Sequence, residues 1–251
     1  MEEVWSKQWQ FLGVWVLVSA ALYTMSGYWL VSLLSSSLIA IVLADFLLKF
    51  YNICVIKRLT IMEVQNKAII VTGCDTGFGF KVSTQLADLG FKVFSGCLST
   101  ESDGAKTLSE NDMITVIKMD VTSQNDIDQA HETIKNTLKE NGDELWGIVN
   151  NAGVAMFGEV EFLKLSQYLR CLDVNTFGPV RVTKTFLPLL RQAGRGRIVN
   201  VVSRAGRFTP VGFSAYSMSK HALVSFSDGL RLDMKKWNIT VHTIEPIMYK
   251  T

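Results

Sequence analysis

Tyr216 and Lys220 stand four residues apart, so on a helix they share one face, and Ser203 precedes Tyr216 by thirteen residues at the end of the apolar run Ile198–Val202. A phenol, an ammonium and a hydroxyl brought together in this way could exchange a proton with a substrate oxygen. Tyrosine needs help to do so near neutral pH, because its unperturbed pKa is about 10. A neighbouring ammonium supplies that help by favouring the phenolate. Taken alone, Tyr-x3-Lys also describes a solvated helix face. Far upstream, Gly73, Gly77 and Gly79 punctuate Thr72-Gly73-Cys74-Asp75-Thr76-Gly77-Phe78-Gly79. Glycines at this spacing let the backbone pass close to a pyrophosphate at a helix N-terminus, where N–H groups and the helix dipole favour an anion. A tight turn is the bland alternative. The chemical reading gains weight because the turn follows a strand-like run and opens a helix-like one. A third cluster, Asn150-Asn151-Ala152-Gly153, ends the run Leu145–Val149.

The elements that must position these residues are legible in the apolar spacing. Ala68–Val71 is a short, β-branched run before the glycine turn, and Phe80–Leu89 is a helical stretch closed by Gly90. Further strand-like runs recur at Phe91–Phe94, Ile114–Ile117, Leu145–Val149, Arg197–Val202 and Thr240–Ile244, with amphipathic helical stretches such as Ile127–Leu138 and Val180–Leu190 between them. Unbroken apolar strands alternating with helices argue for a parallel sheet covered on both faces, a doubly wound α/β fold of the Rossmann type.

Composition narrows the function classes. The 251 residues carry 25 Lys+Arg against 23 Asp+Glu, a net charge of +2, so nucleic acid is not an expected partner. Hydrophobic residues make up 48% and charged residues 19%, which excludes intrinsic disorder. The cysteines Cys54, Cys74, Cys97 and Cys171 form no CxxC pair and have no histidine at zinc-like spacing, so neither a metal site nor a disulfide framework is expected. The apolar excess is concentrated in one place. From Phe11 to Ala44 there is no charged residue, and Asp45 is the first break. As one helix this stretch would run about 51 Å against a hydrocarbon core of about 30 Å. Either one span near Tyr28–Leu48 or a hairpin turning at Ser26-Gly27 fits, with Phe11–Met25 as the first arm. Residues 1–60 therefore read as a membrane anchor and residues 65–251 as the α/β domain. Met-Glu-Glu at the start and the absence of arginine before Arg58 argue against a secretory signal and a mitochondrial transit peptide. Lys49, Lys57 and Arg58 place the α/β domain on the cytosolic side by the positive-inside rule; the endoplasmic reticulum is the membrane expected, though these residues do not themselves specify it.

In that order and at that spacing, the glycine turn, Asn150-Asn151-Ala152-Gly153, Ser203 and Tyr216-x3-Lys220 resemble the short-chain dehydrogenase/reductase family over about residues 65–251. Gly96-Cys97-Leu98, Phe157-Gly158-Glu159-Val160-Glu161 and Phe226-Ser227-Asp228-Gly229-Leu230-Arg231 resemble the branch holding 3-hydroxybutyrate dehydrogenase, the retinol dehydrogenases and 17β-hydroxysteroid dehydrogenase type 2.

The resemblance implies roles. Tyr216 would be the general acid/base, Lys220 would lower its pKa and hold the nicotinamide ribose, and Ser203 would hydrogen-bond the substrate oxygen. Asn175 matches the position that holds a water between the lysine and solvent. Gly73, Asp75, Thr76, Gly77, Phe78 and Gly79 would face the dinucleotide, Asp120 and Val121 the adenine, and Asn151, Ala152 and Gly153 the strand end beside it. Thr251 matches the threonine near the carboxamide. An aspartate at the end of the second strand commonly marks NAD preference, and that position is Cys97; Asp75 and the absence of any basic residue at Ser95–Ser99 still point to NAD, with NADP as the alternative. The family's glycine after Glu245-Pro246 is Ile247 here, and its seventh strand and substrate lid would follow Thr251. A homodimer is implied as well. The reading is a membrane-anchored oxidoreductase of lipophilic secondary alcohols, steroid or retinoid in type. A small hydroxy-acid dehydrogenase and a catalytically silent form that binds dinucleotide or a partner are the alternatives.

Overall fold

The computed structural model describes residues 2–25, 28–58 and 64–247. Thr251 and the Ser26-Gly27 turn of the hairpin reading lie outside the described residues. The chain divides into two compact units, Met1–Met62 and Glu63–Thr251. The first holds two helices, α1 (Glu2–Met25) and α2 (Tyr28–Arg58). Within α2, Ser32–Tyr51 is long and apolar enough to cross a membrane, while Leu12–Tyr23 in α1 is a shorter apolar segment. Side chains such as Leu17, Ile39 and Ile41 are two-thirds exposed or nearly so. Asp45 and Lys49, one helical turn apart, form an ion pair at 2.6 Å.

The second unit is built on a six-stranded parallel sheet, β1 (Lys67–Thr72), β2 (Lys92–Cys97), β3 (Ile114–Lys118), β4 (Glu144–Asn150), β5 (Gly196–Val201) and β6 (Ile239–Ile244), in the order β3-β2-β1-β4-β5-β6. The order reverses between β1 and β4, where a doubly wound sheet opens its ligand crevice. Helices α3 (Gly77–Asp88), α4 (Asp103–Ser109), α5 (Gln124–Asn141), α6 (Leu165–Leu172), α7 (Gly178–Gln192) and α8 (Ser214–Met234) connect the strands.

Every residue of β1 is buried, because each face carries its own core. Ala68 and Ile70 join a cluster with Ile127, Ile134, Phe186 and Leu190, whereas Ile69 and Val71 join one with Ala87, Phe91, Val93 and Leu108. A strand covered on both sides gains from apolar residues at every position, so it shows a run where a half-exposed strand would alternate. The helices follow the three-to-four spacing that such coverage demands. In α5 the buried residues are Ile127, Ala130, Ile134 and Leu138; Ser123 accepts a hydrogen bond from the Asp126 amide at its start, and Gly142, at φ 69°, ends it.

In the second unit the expected strands and helices all form, with ends shifted by at most three residues, whereas α1 begins nine residues before Phe11 and α2 runs ten residues past Leu48. Elements that were not expected include α4, α6 and a π-helical turn, Asp173–Phe177, that joins α6 to α7.

Candidate active site

The glycine turn lies at the C-terminal end of β1. Gly73 has φ 69°, a conformation few residues with a Cβ adopt, and a Cβ there would stand 2.8 Å from the Ala152 Cα. Thr72 and Asn151 lock this turn to the end of β4. The amides of Asn151 and Ala152 both donate to the Thr72 hydroxyl at 3.1 Å, and the Asn151 side-chain amide donates to the carbonyls of Thr72 and Gly73 at 2.9 and 3.0 Å. Gly79 is buried in α3, and a Cβ there would fall 2.1 Å from the Gly73 carbonyl oxygen. Its place is therefore against the turn rather than on the cavity wall, which corrects the expectation that it faces the dinucleotide directly. Thr76, at the start of α3, makes no side-chain cap.

Above this turn opens a cleft of 1180 Å³ lined by Gly73, Asp75, Thr76, Gly77, Phe78, Asp120, Val121, Asn151, Ala152 and Gly153, among others. Ten expected cofactor residues thus share one cavity wall, at a turn where Gly73 packs against Ala152 too closely for a Cβ. A cleft at a helix N-terminus, walled by backbone with few side chains, suits an anionic group such as a pyrophosphate. At the β2 end the Asp75 carboxylate accepts hydrogen bonds from the amides of Leu98 at 3.0 Å and Ser99 at 3.3 Å, and from the Ser102 hydroxyl at 3.2 Å. Cys97 is fully buried there, and that burial pushes its thiol up to about 12. Asp120 turns inward on its own loop, accepting from the amide and hydroxyl of Thr122 at 2.9 and 2.7 Å.

A second cavity of 210 Å³ shares Phe78, Asn151, Gly153 and Val154 with the cleft and is lined beyond them by Ser203, Tyr216 and Lys220, with Pro246 and Ile247. Ser203 lies just beyond the end of β5, and Tyr216 and Lys220 lie on successive turns of α8. Burial holds the Tyr216 phenol above its usual pKa, with the Ser203 hydrogen bond pulling it down and Cys171 nearby pushing it up. Lys220, expected to lower it, is not among the groups that set this direction in the dinucleotide-free protein. The Lys220 ammonium donates to the Val201 carbonyl at 2.9 Å and sits 5.8 Å from the centre of the Tyr216 ring. Lys220 is itself only 4% exposed, and burial pulls its pKa down to about 8. A desolvated, distant ammonium does less for the phenolate than burial does against it.

Asn175 does not line either cavity. In the π-helical turn its side-chain oxygen accepts from the Val154 amide, and its nitrogen donates to the Val154 carbonyl at 2.8 Å and the Ser219 hydroxyl at 2.9 Å. A Cβ on Gly153 would stand 3.3 Å from the Asn175 oxygen and 3.6 Å from the Lys220 nitrogen. Asn175 therefore positions the wall next to Lys220 rather than touching the reacting space. Sequence reasoning missed Ser102 and Val201, whose contributions are a hydroxyl and a backbone carbonyl with no motif signal, and it gave Thr72 no role beyond its place in the turn motif. It also passed over Phe213, which packs against Phe157 and Tyr216.

The family model for short chain dehydrogenases matches residues 67–251. Among relatives, the mitochondrial D-beta-hydroxybutyrate dehydrogenase of Bos taurus is 42% identical over 187 residues, 73% of this chain and 54% of that protein. Estradiol 17-beta-dehydrogenase 2 of Mus musculus is 42% identical over 194 residues, 76% of this chain and 50% of that protein. The dehydrogenase/reductase SDR family member 9 of Bos taurus is 36% identical over 215 residues, 85% and 65% of the two chains. The chain spans about half the length of the first two relatives. Among solved structures, a short-chain dehydrogenase from Streptomyces avermitilis superposes with a TM-score of 0.67 at 31% identity, covering 74% of this chain and 67% of that one. An NADPH-bound carbonyl reductase from chicken fatty liver shares the fold at 24% identity and a TM-score of 0.66, over 71% and 78% of the chains. With the family's match running from β1 through the Ser203–Tyr216–Lys220 cavity, the chain belongs to the short-chain dehydrogenases.

Proposed function

We propose that this chain is a membrane-anchored, NAD-linked oxidoreductase that interconverts a lipophilic secondary alcohol and its ketone, or a retinol and its aldehyde. The observation that carries the reading is the convergence of Ser203, Tyr216 and Lys220 on a cavity that shares its wall with the dinucleotide cleft.

A bound nicotinamide would accept or give the hydride and, when oxidised, bring a positive charge. The chain's own residues handle the proton. Ser203 donates a hydrogen bond to the substrate oxygen, and Tyr216 passes a proton to or from it. With its pKa above the usual phenol value, Tyr216 is protonated at neutral pH, the form that serves reduction of a ketone. Taking a proton from an alcohol requires additional positive charge near the phenol. Lys220, pinned to Val201, holds the ribose side of the cavity.

Asp75 supports NAD over NADP. It presents a carboxylate at the end of β2, where a ribose 2′-OH can donate to it and a 2′-phosphate meets like charge. No Lys or Arg lies within Ser95–Ser99 to pair with that phosphate. The similarity to D-beta-hydroxybutyrate dehydrogenases favours a second reading, a small hydroxy acid as substrate. Among the described residues lining the 210 Å³ cavity, however, Lys220 is the one cation, and its ammonium is engaged by Val201, so a substrate carboxylate finds no counter-ion.

Ser32–Tyr51 supports an anchor of residues 1–60 in the endoplasmic reticulum membrane, with residues 65–251 on the cytosolic side as one domain. Membrane lipid and a second copy of the chain are the partners we expect. The test is turnover by the detergent-solubilised chain with NAD or NADP against estradiol, retinol and 3-hydroxybutyrate. Tyr216→Phe should lower turnover by about 10²–10⁴-fold while leaving NADH binding in place. Turnover of 3-hydroxybutyrate alone would select the second reading, and NADH binding with no turnover would select a silent binding form.

A further inference from the structure

Unpaired cations gather at the end of the sheet opposite the site. All six strands run parallel, so β5 and β6 both begin at that end. The chain enters β5 through Arg191-Gln192-Ala193-Gly194-Arg195-Gly196-Arg197 and enters β6 through Lys235-Lys236-Trp237-Asn238. These two segments are joined. The Gly196 amide donates to the Asn238 carbonyl at 3.4 Å, and the Arg191 guanidinium lies 4.8 Å from the centre of the Trp237 ring. Together they hold five cations and no acid.

Other arginines of the domain are matched by acids: Arg181 by Asp173, Arg207 by Glu245 and Arg231 by Asp228. Among the described residues none of these five is. The neighbouring acids, Asp233 near the end of α8 and Glu144 at the start of β4, flank the cluster without pairing to it. Arg195, Arg197, Lys235 and Lys236 are all exposed, so their mutual repulsion is relieved only by an anion from outside. Apolar groups stand beside them. Trp237 is 41% exposed, and Leu232, in the last turn of α8, is 70% exposed. Cations ringed with an exposed indole and leucine match a bilayer interface, where headgroup anions meet the charges and the indole settles at headgroup depth. An acidic protein could meet the same charges. Lipid is favoured because the chain carries its own candidate span, Ser32–Tyr51, and then enters the α/β domain at Lys67, at this same end of the sheet. Such a tether supplies the surface at high effective concentration.

We propose that Arg195, Arg197, Lys235 and Lys236, with Trp237, form a docking face for the anionic headgroups of the leaflet beside which the domain is anchored. The inference rests on the anchor reading above and names the lipid and the surface that meets it. Docking there leaves the crevice, at the opposite ends of the strands, open to water.

The test reconstitutes the full chain into vesicles of phosphatidylcholine, alone or with roughly one-third phosphatidylserine. Acetylation of Lys235 and Lys236 by the neutral reagent N-hydroxysuccinimidyl acetate is read by mass spectrometry against Lys118, which ends β3 at the far end of the sheet. Phosphatidylserine should lower that ratio by about threefold or more, and about 0.5 M KCl should restore it by screening. Arg195→Glu with Arg197→Glu, both at exposed positions, should abolish the lipid effect, with thermal unfolding reporting that the variant is folded. An equal ratio in the two vesicles overturns the proposal and leaves the acidic-protein reading. A lipid effect that survives salt, or that survives in the folded variant, overturns it too. Release of the chain by alkaline carbonate fails the anchor reading separately. Cosedimentation then decides on the face: binding to phosphatidylserine vesicles over phosphatidylcholine by about tenfold or more, lost in the variant, supports it, and equal or absent binding overturns it.

Discussion

Lys220→Met should make the dinucleotide-free protein more stable while destroying its function. Lys220 is 4% exposed, and its one hydrogen bond runs to the Val201 carbonyl. The fall of its pKa from 10.5 to about 8 measures what burial of the ammonium costs. At pH 7 that is about 3 kcal/mol. Methionine of similar length removes the charge and forfeits the bond to Val201, worth about 1 kcal/mol, so the net gain is about 2 kcal/mol. For a domain of this size the melting temperature should rise by about 4–8 °C. The pH dependence gives the sharper check. A lysine whose folded pKa lies below its unfolded one binds fewer protons when folded, so stability rises with pH between the two values. The handicap of the unaltered protein should be complete below pH 8 and should shrink between pH 8 and 10.5, closing the gap to the variant. Thermal or urea unfolding of both proteins at pH 7 and pH 10, followed through the α/β domain, measures it. A variant no more stable at pH 7, or a gap that does not narrow with pH, would refute the reasoning. Such a gain would also place Lys220 among residues kept for binding at the expense of stability.

Three further outcomes are expected. Asp75→Asn should narrow the preference for NADH over NADPH by about tenfold or more in a binding titration, and Leu98→Arg, at a position 62% exposed, should narrow it further by giving the 2′-phosphate a partner. An unchanged ratio in both would show that Asp75 does not read the ribose. Gly79→Ala places a Cβ 2.1 Å from the Gly73 oxygen, so it should lower the melting temperature and abolish NADH binding together; binding at the unaltered affinity would show that the turn can relax. Alkaline carbonate washing of membranes should leave the full chain in the pellet, and its release would remove Ser32–Tyr51 as a span.

The sheet was legible because its strands are covered on both faces: Ala68–Val71 had to be apolar at every position, and its shortness and β-branched residues mark it as a strand rather than a buried helix. The glycine turn was legible for a related reason, since contacts of 2.1 and 2.8 Å to a would-be Cβ permit no other residue. Spacing carried Tyr216 and Lys220 to one cavity, because four residues on a helix fix a shared face whatever surrounds it. What spacing could not carry was the environment. The direction of the Tyr216 pKa depends on how much water the fold removes and on where the Lys220 ammonium finds its acceptor, and Val201 offers that acceptor through its backbone, which no residue type announces. Asp75 shows the same limit in reverse. The acid expected at the end of β2 is a buried cysteine, yet the carboxylate arrives there from the glycine turn, because the Leu98 and Ser99 amides hold it. A motif read position by position records the missing acid at Cys97; the fold supplies it from twenty-two residues earlier in the chain. Chemistry in this site is therefore set by which backbone groups remain to receive a side chain, and that is decided only when the loops close.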